Sequence, residues 1–155
     1  MTERRDEAGA ADLLREHSLQ VTAQRLGVLE TVTQHPHSTA SEIESLVRDR
    51  IGSISRQSVY DTLGLLAAEG IIRSIQPPSS PARYETRVDD DHHHFMCSSC
   101  GRLLDVDCVS QEPHCIGASG DPRFEVHEVE IIYRGVCREC RSATPTTNSP
   151  AKEKR

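Results

Sequence analysis

Apolar residues recur at intervals of three and four along the first half of the chain, the spacing of one face of an α-helix. Thr22 is suited to cap the N-terminus of a helix, whose apolar positions follow in three-residue steps at Leu26, Leu29 and Val32. The sequence His35-Pro36-His37 ends this helix, because a residue before proline is disfavoured in the helical conformation. A shorter amphipathic pattern precedes it at residues 11–17.

Two further helices are predicted from the same kind of pattern. Thr39 opens the second, with Glu42 three residues later to complete a capping box, and its apolar face consists of Ile43, Leu46 and Val47. Ser55 caps the third, whose apolar positions are Val59, Leu63, Leu66 and Ala67. Gly70 then occupies the position at which helices commonly end.

Two short strands are predicted at residues 71–75 and 83–86, joined by the proline- and serine-rich residues 76–81. Three helices followed by a two-stranded ribbon form a winged helix-turn-helix. Since similar units exist that bind no DNA, the polar side of the third helix matters; it carries Ser55, Arg56, Gln57, Ser58 and Tyr60. Arg and Gln make bidentate contacts with base edges, and hydroxyl groups suit phosphates. This set favours DNA binding, although Asp61 adds an acid to the same helix.

The composition predicts a small core. The chain has 155 residues, of which 35% are hydrophobic and 3% aromatic, with no Trp. So few large side chains usually need help from a metal, a disulfide or a partner subunit. No apolar run approaches the roughly 18 residues of a membrane span, and the N-terminus lacks a signal-peptide pattern. We therefore expect a cytoplasmic protein rather than a membrane or secreted one.

Charge divides the chain into blocks. The net charge of −6 is concentrated in residues 89–140, which carry −7, whereas residues 1–88 carry −2 and residues 141–155 carry +3. All six Cys and five of the eight His also lie in the middle block. A block dense in acids, imidazoles and thiols indicates metal binding. The nearly neutral first block does not strongly repel DNA.

Cysteine spacing is the strongest chemical signal. Two C-x-x-C pairs, Cys97/Cys100 and Cys137/Cys140, are separated by 36 residues. Each pair can supply two corners of a tetrahedral zinc site, and Gly101 permits the tight turn after the first pair. Two disulfides are the alternative, but a reducing compartment disfavours them. A thioredoxin-like redox site would need only one pair. We expect a Cys₄ zinc site that clamps a small sheet, including a strand at residues 125–133.

A run of three histidines follows the acidic residues 89–91. If the segment is a strand that leads into Cys97, His92 and His94 share one face and His93 points to the other. Glu85 and Asp105 are near enough in sequence to complete a chelate with the H-x-H pair. His37 stands alone between two helices, and its ordinary interpretation is a surface loop residue.

Several motifs in combination resemble those of the ferric uptake regulator family. They are Leu19-x-Val21-Thr22-x-x-Arg25, Ser58-Val59-Tyr60, Arg83-Tyr84-Glu85, the block from His92 to Gly101, and Gly135-Val136-Cys137-x-x-Cys140. The match covers about residues 11–141. Within the family, the segments Val59-Tyr60-Asp61, Asp105–Cys108 and Tyr133–Cys137 and the added Cys115 most resemble the actinobacterial FurA/CatR type. Proteins of that type are peroxide-responsive and repress a catalase-peroxidase gene, often with their own gene.

The resemblance implies an α+β fold: an N-terminal winged helix-turn-helix domain and a small C-terminal α/β dimerisation domain with structural zinc. The expected divisions are a disordered N-terminus at 1–10, a DNA-binding domain at 11–88 with a hinge near 83–91, a metal-binding dimerisation domain at 89–141, and a disordered basic tail at 142–155. The implied partners are a second copy, in a V-shaped homodimer, and double-stranded operator DNA. No membrane partner, enzymatic activity or small-molecule substrate is expected, apart from metal ions and peroxide as signals.

The resemblance also assigns the sites. Structural Zn(II) maps onto Cys97, Cys100, Cys137 and Cys140. Regulatory Fe(II) or Mn(II) maps onto His37, Glu85, His92, His94 and Asp105. The candidates for an additional metal site are His93, Glu112 and His127. DNA contacts are expected from Thr22 and Arg25 and from the third-helix residues Ser55, Arg56, Gln57, Ser58 and Tyr60.

The same resemblance suggests how such a protein is controlled. The regulatory cation would tie the two domains into one orientation for operator binding. Peroxide, acting on the Fe(II) form, would oxidise His37 or His92 and release the DNA. Asp105 is typical of peroxide sensors in the family, whereas the preference is reversed at Glu85. A set of imidazole and carboxylate ligands suits Fe(II) or Mn(II) better than metals that prefer thiolates.

Three alternatives remain at this point. The protein could be an iron-uptake repressor, or a thiol redox switch that uses Cys108 and Cys115. These two cysteines could also bind a further metal or be ordinary buried thiols. From another class, the H-x-H pair could serve a small zinc metalloenzyme or a metal carrier.

Overall fold

A computed structural model describes residues 3–88, 90, 92–107 and 130–143 of the chain. The chain divides into two compact units, Met1–Asp91 and His92–Arg155.

The first unit combines four helices with a small antiparallel sheet. Its elements are α1 (Glu3–Glu16), α2 (Ala23–Gln34), β1 (Ser38–Thr39), α3 (Ala40–Ile51), α4 (Arg56–Ala68), β2 (Arg73–Ile75) and β3 (Arg83–Glu85). The three strands have the order β1-β3-β2. Helices α2, α3 and α4, followed by the ribbon of β2 and β3, form the predicted winged helix-turn-helix.

The predicted helix caps are confirmed. The hydroxyl of Thr22 accepts a hydrogen bond from the amide of Arg25 at the start of α2. Thr39 and Glu42 form the reciprocal capping box of α3, and Ser55 caps α4. Gly70 has a φ of 69°, the left-handed conformation that glycine adopts without strain, just after α4 ends.

The core of the first unit contains most of the apolar positions that the sequence predicted, but Leu26, Leu46 and Ala67 are only partly buried. Its buried side chains include Leu14, Val28, Leu29, Val32, Ile43, Val47, Val59, Leu63, Leu66, Ile71, Ile72 and Ile75. Leu14 comes from α1, which begins at Glu3, eight residues before the predicted amphipathic segment. The structure places residues from Glu3 onward in this helix, and the expected disorder of residues 1–10 stays a prediction.

The wing differs from the prediction in one respect. The two predicted strands are present in shortened form, but a third strand, β1, pairs with β3 through Ser38 opposite Tyr84 and Thr39 opposite Arg83. A two-residue strand carries no sequence pattern, so this pairing was not predicted. It ties the start of α3 to the wing.

The second unit is built on a mixed sheet with the order β5-β4-β6. Its elements are β4 (His92–Cys97), β5 (Leu103–Asp107), β6 (Ile132–Gly135) and α5 (Arg138–Ala143). Strand β4 is antiparallel to β5 and parallel to β6. Of the strand predicted at 125–133, residues 132 and 133 lie in β6 and residues 125–129 lie outside the described residues. Most of the predicted disordered tail, residues 144–155, also lies outside them, whereas residues 142 and 143 belong to α5.

Among the described residues, no helix is both long enough and apolar enough to cross a membrane.

Candidate metal centres and DNA-binding helix

The four cysteines of the two C-x-x-C pairs converge in the second unit. Cys97 ends β4 and Cys100 lies in the turn that follows, whereas Cys137 lies just after β6 and Cys140 in α5. The parallel register places Cys97 opposite Gly135, which brings the two pairs together. The four sulfur atoms lie within 4.8 Å of one another, and none of these four cysteines forms a disulfide.

The surroundings of these sulfur atoms favour a cation. The backbone amide of Cys137, 3.3 Å from the Cys97 sulfur, and the amide of Cys100 lower the pKa of Cys97 to about 6. The amide of Cys140 acts in the same direction on Cys137, but burial and the neighbouring thiols outweigh it and raise the pKa of Cys137 to about 12. The Cys97 thiol therefore loses its proton readily, whereas deprotonation of Cys137 as well requires a cation to balance the added negative charge. Four thiols in this arrangement fit tetrahedral Zn(II).

The H-x-H pair also has the geometry predicted for it. His92 and His94 are buried on one face of β4, with their Nε2 atoms 3.1 Å apart. Asp105 lies opposite His94 in the register of β5, and its Oδ1 is 3.8 Å from the Nε2 of His92 and 3.7 Å from that of His94. Two imidazoles and a carboxylate therefore point at one another within the second unit.

His93 belongs to the opposite face of β4, where its ring meets Tyr133 edge-to-face at a centroid distance of 6.1 Å. The other candidates for an additional metal site, Glu112 and His127, lie outside the described residues. The same is true of Cys108 and Cys115.

The first unit places His37 beside Glu85. The Nε2 of His37 is 3.0 Å from Oε2 of Glu85, a carboxylate whose side chain is only 1% exposed. These residues are 48 positions apart in sequence, and the pairing of β1 with β3 brings them together. The pair contradicts the interpretation of His37 as an ordinary surface loop residue.

The backbone of His37 is held in an uncommon conformation. Its φ is 64°, in the left-handed region. The amide of His37 donates to the carbonyl of Tyr84 at 2.8 Å, and Nη1 of Arg83 donates to the carbonyl of His37 at 2.9 Å. Arg83 is thus a positioning residue that the sequence analysis missed, since only the fold shows what its guanidinium contacts.

The predicted DNA-contact residues at the start of α4 differ in whether their side chains are hydrogen-bonded within the protein. The Tyr60 side chain is 46% exposed. Ser55 and Ser58 are engaged with each other through the N-cap, with their hydroxyls 2.9 Å apart. The side chain of Gln57 donates to Asp61 at 2.7 Å.

Arg56 is held by an acid on the preceding helix. Its Nε donates to Oε2 of Glu44 at 2.9 Å, and Arg48 donates to the other carboxylate oxygen. Burial raises the pKa of Glu44, but the hydrogen bonds from Arg56 and Arg48 outweigh burial and keep the pKa below its ordinary value. Sequence reasoning missed Glu44, although an acid beside the apolar Ile43 of α3, four residues before Arg48, was a visible signal.

Two other residues predicted to contact DNA, Thr22 and Arg25, make hydrogen bonds within the protein. Thr22 caps α2, and Nη1 of Arg25 donates to the carbonyl of Gln20 at 2.7 Å.

Comparison with known proteins gives a consistent result. The sequence model of the ferric uptake regulator family matches residues 16–133. Over 140 residues, the chain is 45% identical to the transcriptional regulator FurA of Mycobacterium tuberculosis, which covers 90% of this chain and 95% of that protein. It is 28% identical over 138 residues to the peroxide operon regulator of Bacillus subtilis, covering 84% and 90% of the two chains. The crystal structure of the Vibrio cholerae ferric uptake regulator is similar in fold, with a TM-score of 0.67 at 22% identity over 82% of this chain and 98% of that one.

Proposed function

From the premise that the chain belongs to the ferric uptake regulator family of metal-dependent transcriptional regulators, we propose that it is a peroxide-responsive repressor. Its targets in this proposal are a catalase-peroxidase gene and its own gene. The family and the FurA relative are transcriptional regulators rather than enzymes, which argues against the small zinc enzyme considered above. The relative named as a peroxide regulator supports the choice of signal.

The observation that carries the proposal is that each unit holds an imidazole beside a carboxylate. His37 and Glu85 form one such set, and the other consists of His92, His94 and Asp105. We infer that one Fe(II) or Mn(II) ion takes ligands from both sets and so selects one relative orientation of the two units for DNA binding. Nitrogen and carboxylate oxygen ligands suit both of these metals.

The Cys₄ cluster has a separate task in this proposal. Zn(II) bound by its four sulfur atoms stabilises the second unit, and its binding does not depend on the regulatory metal. The additional metal site at His93, Glu112 and His127 remains a prediction.

Homodimerisation is assigned to the second unit. Leu104 and Tyr133 are 43% and 50% exposed, and each lies opposite Phe95 in the register of the sheet. Residues opposite one another share a face, so these three side chains form an apolar row across β5, β4 and β6. A second copy of the chain would bury this row and present two copies of α4 to successive major grooves of operator DNA.

The signal acts on the histidines in this proposal. Fe(II) held by these residues would promote oxidation of an imidazole by hydrogen peroxide, whereas Mn(II) would not readily do so. One oxygen atom of the peroxide would be added to the ring of His37 or His92 and the other would leave as water, so that a nitrogen ligand is lost. The two units then lose their fixed orientation, and the repressor leaves the operator.

A gel-shift assay combined with mass spectrometry tests the proposal. The Fe(II) and Mn(II) forms should both bind DNA upstream of the chain's own gene, and the metal-free form should not. Peroxide should release the Fe(II) form only and add a single oxygen mass to the peptide that bears His37 or the one that bears His92 and His94.

Other outcomes would identify the alternatives. DNA binding that requires Fe(II) but resists peroxide would indicate an iron-uptake repressor. Loss of two hydrogens from the peptides bearing Cys108 and Cys115, reversed by thiols and equal in the Mn(II) form, would indicate a thiol switch.

A further inference from the structure

The guanidinium of Arg56 is anchored to the helix before the DNA-binding helix. The Glu44 carboxylate that binds it is only 8% exposed, whereas the Arg56 side chain is 72% exposed. Within the part of the chain that the structure describes, Glu44 is the hydrogen-bond partner of Arg56, and the bond uses Nε alone. The two terminal nitrogens of the guanidinium are therefore left to contact a ligand.

This anchoring changes what Arg56 can reach. In a helix-turn-helix, the first helix crosses the DNA backbone and the second enters the major groove. A guanidinium bonded to α3 is directed toward the helix that crosses the backbone, rather than along the groove face of α4. A base-reading arginine instead extends freely into the groove to make two parallel bonds to guanine.

The charge of the cluster also suits a phosphate. Arg48 and Arg56 share one carboxylate, so the three side chains carry a net positive charge at neutral pH. An arginine whose Nε is bonded to a carboxylate can still offer its two terminal N–H groups to an anion.

We propose that Arg56 binds a DNA phosphate, that Glu44 is the positioning residue that orients it, and that Arg56 does not read a base edge. The inference rests on the proposed DNA-binding function and reassigns one of its predicted contacts. Sequence readout then falls to other exposed side chains of α4, with Tyr60 the foremost candidate.

The test compares specific with non-specific binding. A duplex is first selected from a randomised pool with the wild-type full chain in Mn(II), and a shuffled duplex of equal length is prepared. The affinities of wild type, Arg56→Ala, Glu44→Gln and the double variant for both duplexes are measured over a range of salt concentrations. Arg50→Ala is the matched control, because Arg50 also pairs with a buried glutamate, Glu30, at 2.7 Å.

Arg56→Ala should weaken binding to both duplexes by a similar factor of about tenfold, with the specificity ratio unchanged. The slope of log K against log salt concentration should decrease by about 0.9, the value for one phosphate contact. Glu44→Gln should cause a smaller loss on both duplexes and no further loss in the Arg56→Ala background. If Glu44→Gln melts before the assay temperature, Arg56→Lys replaces it. Lysine keeps the charge but cannot bind Glu44 and a phosphate with one planar fork, so an intermediate loss on both duplexes is expected.

Loss of affinity for the selected duplex alone would show that Arg56 reads a base, and would overturn this inference while the proposed function stands. The inference would equally fail if Arg56→Ala had no effect or behaved like Arg50→Ala. Failure of the wild type to select any duplex would instead overturn the proposed function, and the role of Arg56 with it.

Discussion

At the scale of single residues, His37 combines an uncommon backbone conformation with a buried partner. A histidine at positive φ is less stable than one in an ordinary conformation, and such positions concentrate at functional sites. The hydrogen bonds from Arg83 and to Tyr84 hold the conformation in which the ring meets Glu85. The local fold thus stabilises a ring position that brings the imidazole next to a buried carboxylate.

We predict that His37→Ala abolishes metal-dependent operator binding and leaves zinc content and dimerisation unchanged, because His37 lies in the first unit and the Cys₄ cluster in the second. Gel shift with Mn(II), zinc analysis and sedimentation measure the three properties. His35→Ala is the matched control, since His35 is an exposed histidine two residues away. Normal metal-dependent binding by His37→Ala would exclude His37 as a ligand.

Gly135 lies at a position where the structure requires glycine. A Cβ atom built there would lie 2.9 Å from Cε2 of Phe95, closer than van der Waals contact allows. We predict that Gly135→Ala destabilises the second unit by about 1–3 kcal/mol, the usual range for overpacking. Thermal unfolding should show the loss, and Phe95→Leu should restore part of it. A similar loss for Gly64→Ala, where a Cβ meets nothing within 4 Å, would contradict the steric explanation.

At the scale of elements, the start of α3 has two structural roles. Thr39 belongs to β1 and also caps α3, accepting a hydrogen bond from the amide of Glu42 at 3.3 Å. We predict that Thr39→Ala costs about 1 kcal/mol of unfolding free energy, the typical value of an N-cap. Chemical denaturation measures it. Thr33→Ala is the control, because the hydroxyl of Thr33 donates to the carbonyl of Leu29 within its own helix and does not cap it. Equal effects of the two variants would contradict a capping role.

The other half of the capping box gives a pH dependence. The hydrogen bond from the backbone amide of Thr39 lowers the pKa of Glu42 below its ordinary value of 4.5. The stabilisation from this carboxylate is therefore complete above pH 4.5 and is lost as the pH falls through the lower folded-state pKa. We predict that the melting temperatures of wild type and Glu42→Gln differ at pH 6 and converge as the pH falls below about 4.5. A difference that stays constant over this range would refute the assignment.

The elements also show which parts of the structure the sequence could predict. Caps and amphipathic faces are local signals, so Thr22, Thr39 and Ser55 marked three helix starts correctly. The spacing of the two C-x-x-C pairs alone predicted that their four cysteines come together. In contrast, the contacts of His37 with Glu85 and of Arg56 with Glu44 depend on how separate elements pack. Only the family resemblance anticipated the first of these, and nothing in the sequence analysis anticipated the second.

At the scale of the whole molecule, the two units differ in how they are stabilised. The first has a continuous apolar core, whereas the buried apolar side chains described in the second are Cys97, Leu103 and Cys137. Two of these three residues are zinc ligands in our proposal. The stability of the second unit is thus coupled to its metal.

We predict that Cys97→Ser loses zinc and the dimer together, since zinc contributes on the order of 10 kcal/mol to the folding of small thiolate-ligated domains. Zinc analysis, sedimentation and thermal unfolding test this prediction. Ser98→Ala, in the same turn, should change none of them. A stable, zinc-free dimer of Cys97→Ser would show that the cluster has no structural role.

The parallel pairing of β4 with β6 has a consequence for how this chain can change over evolution. Asp107 ends β5 and Ile132 begins β6, and the sheet and the cysteines fix both of these points. The entropic cost of joining two fixed points by a flexible chain grows only with the logarithm of the chain length, and doubling the length costs about 0.6 kcal/mol. Changes in the number of residues between these two points should therefore be thermodynamically cheap. A single residue added inside either C-x-x-C pair would instead displace a sulfur and destroy the convergence. Among related chains, differences in length should therefore occur between β5 and β6 and not within the C-x-x-C pairs.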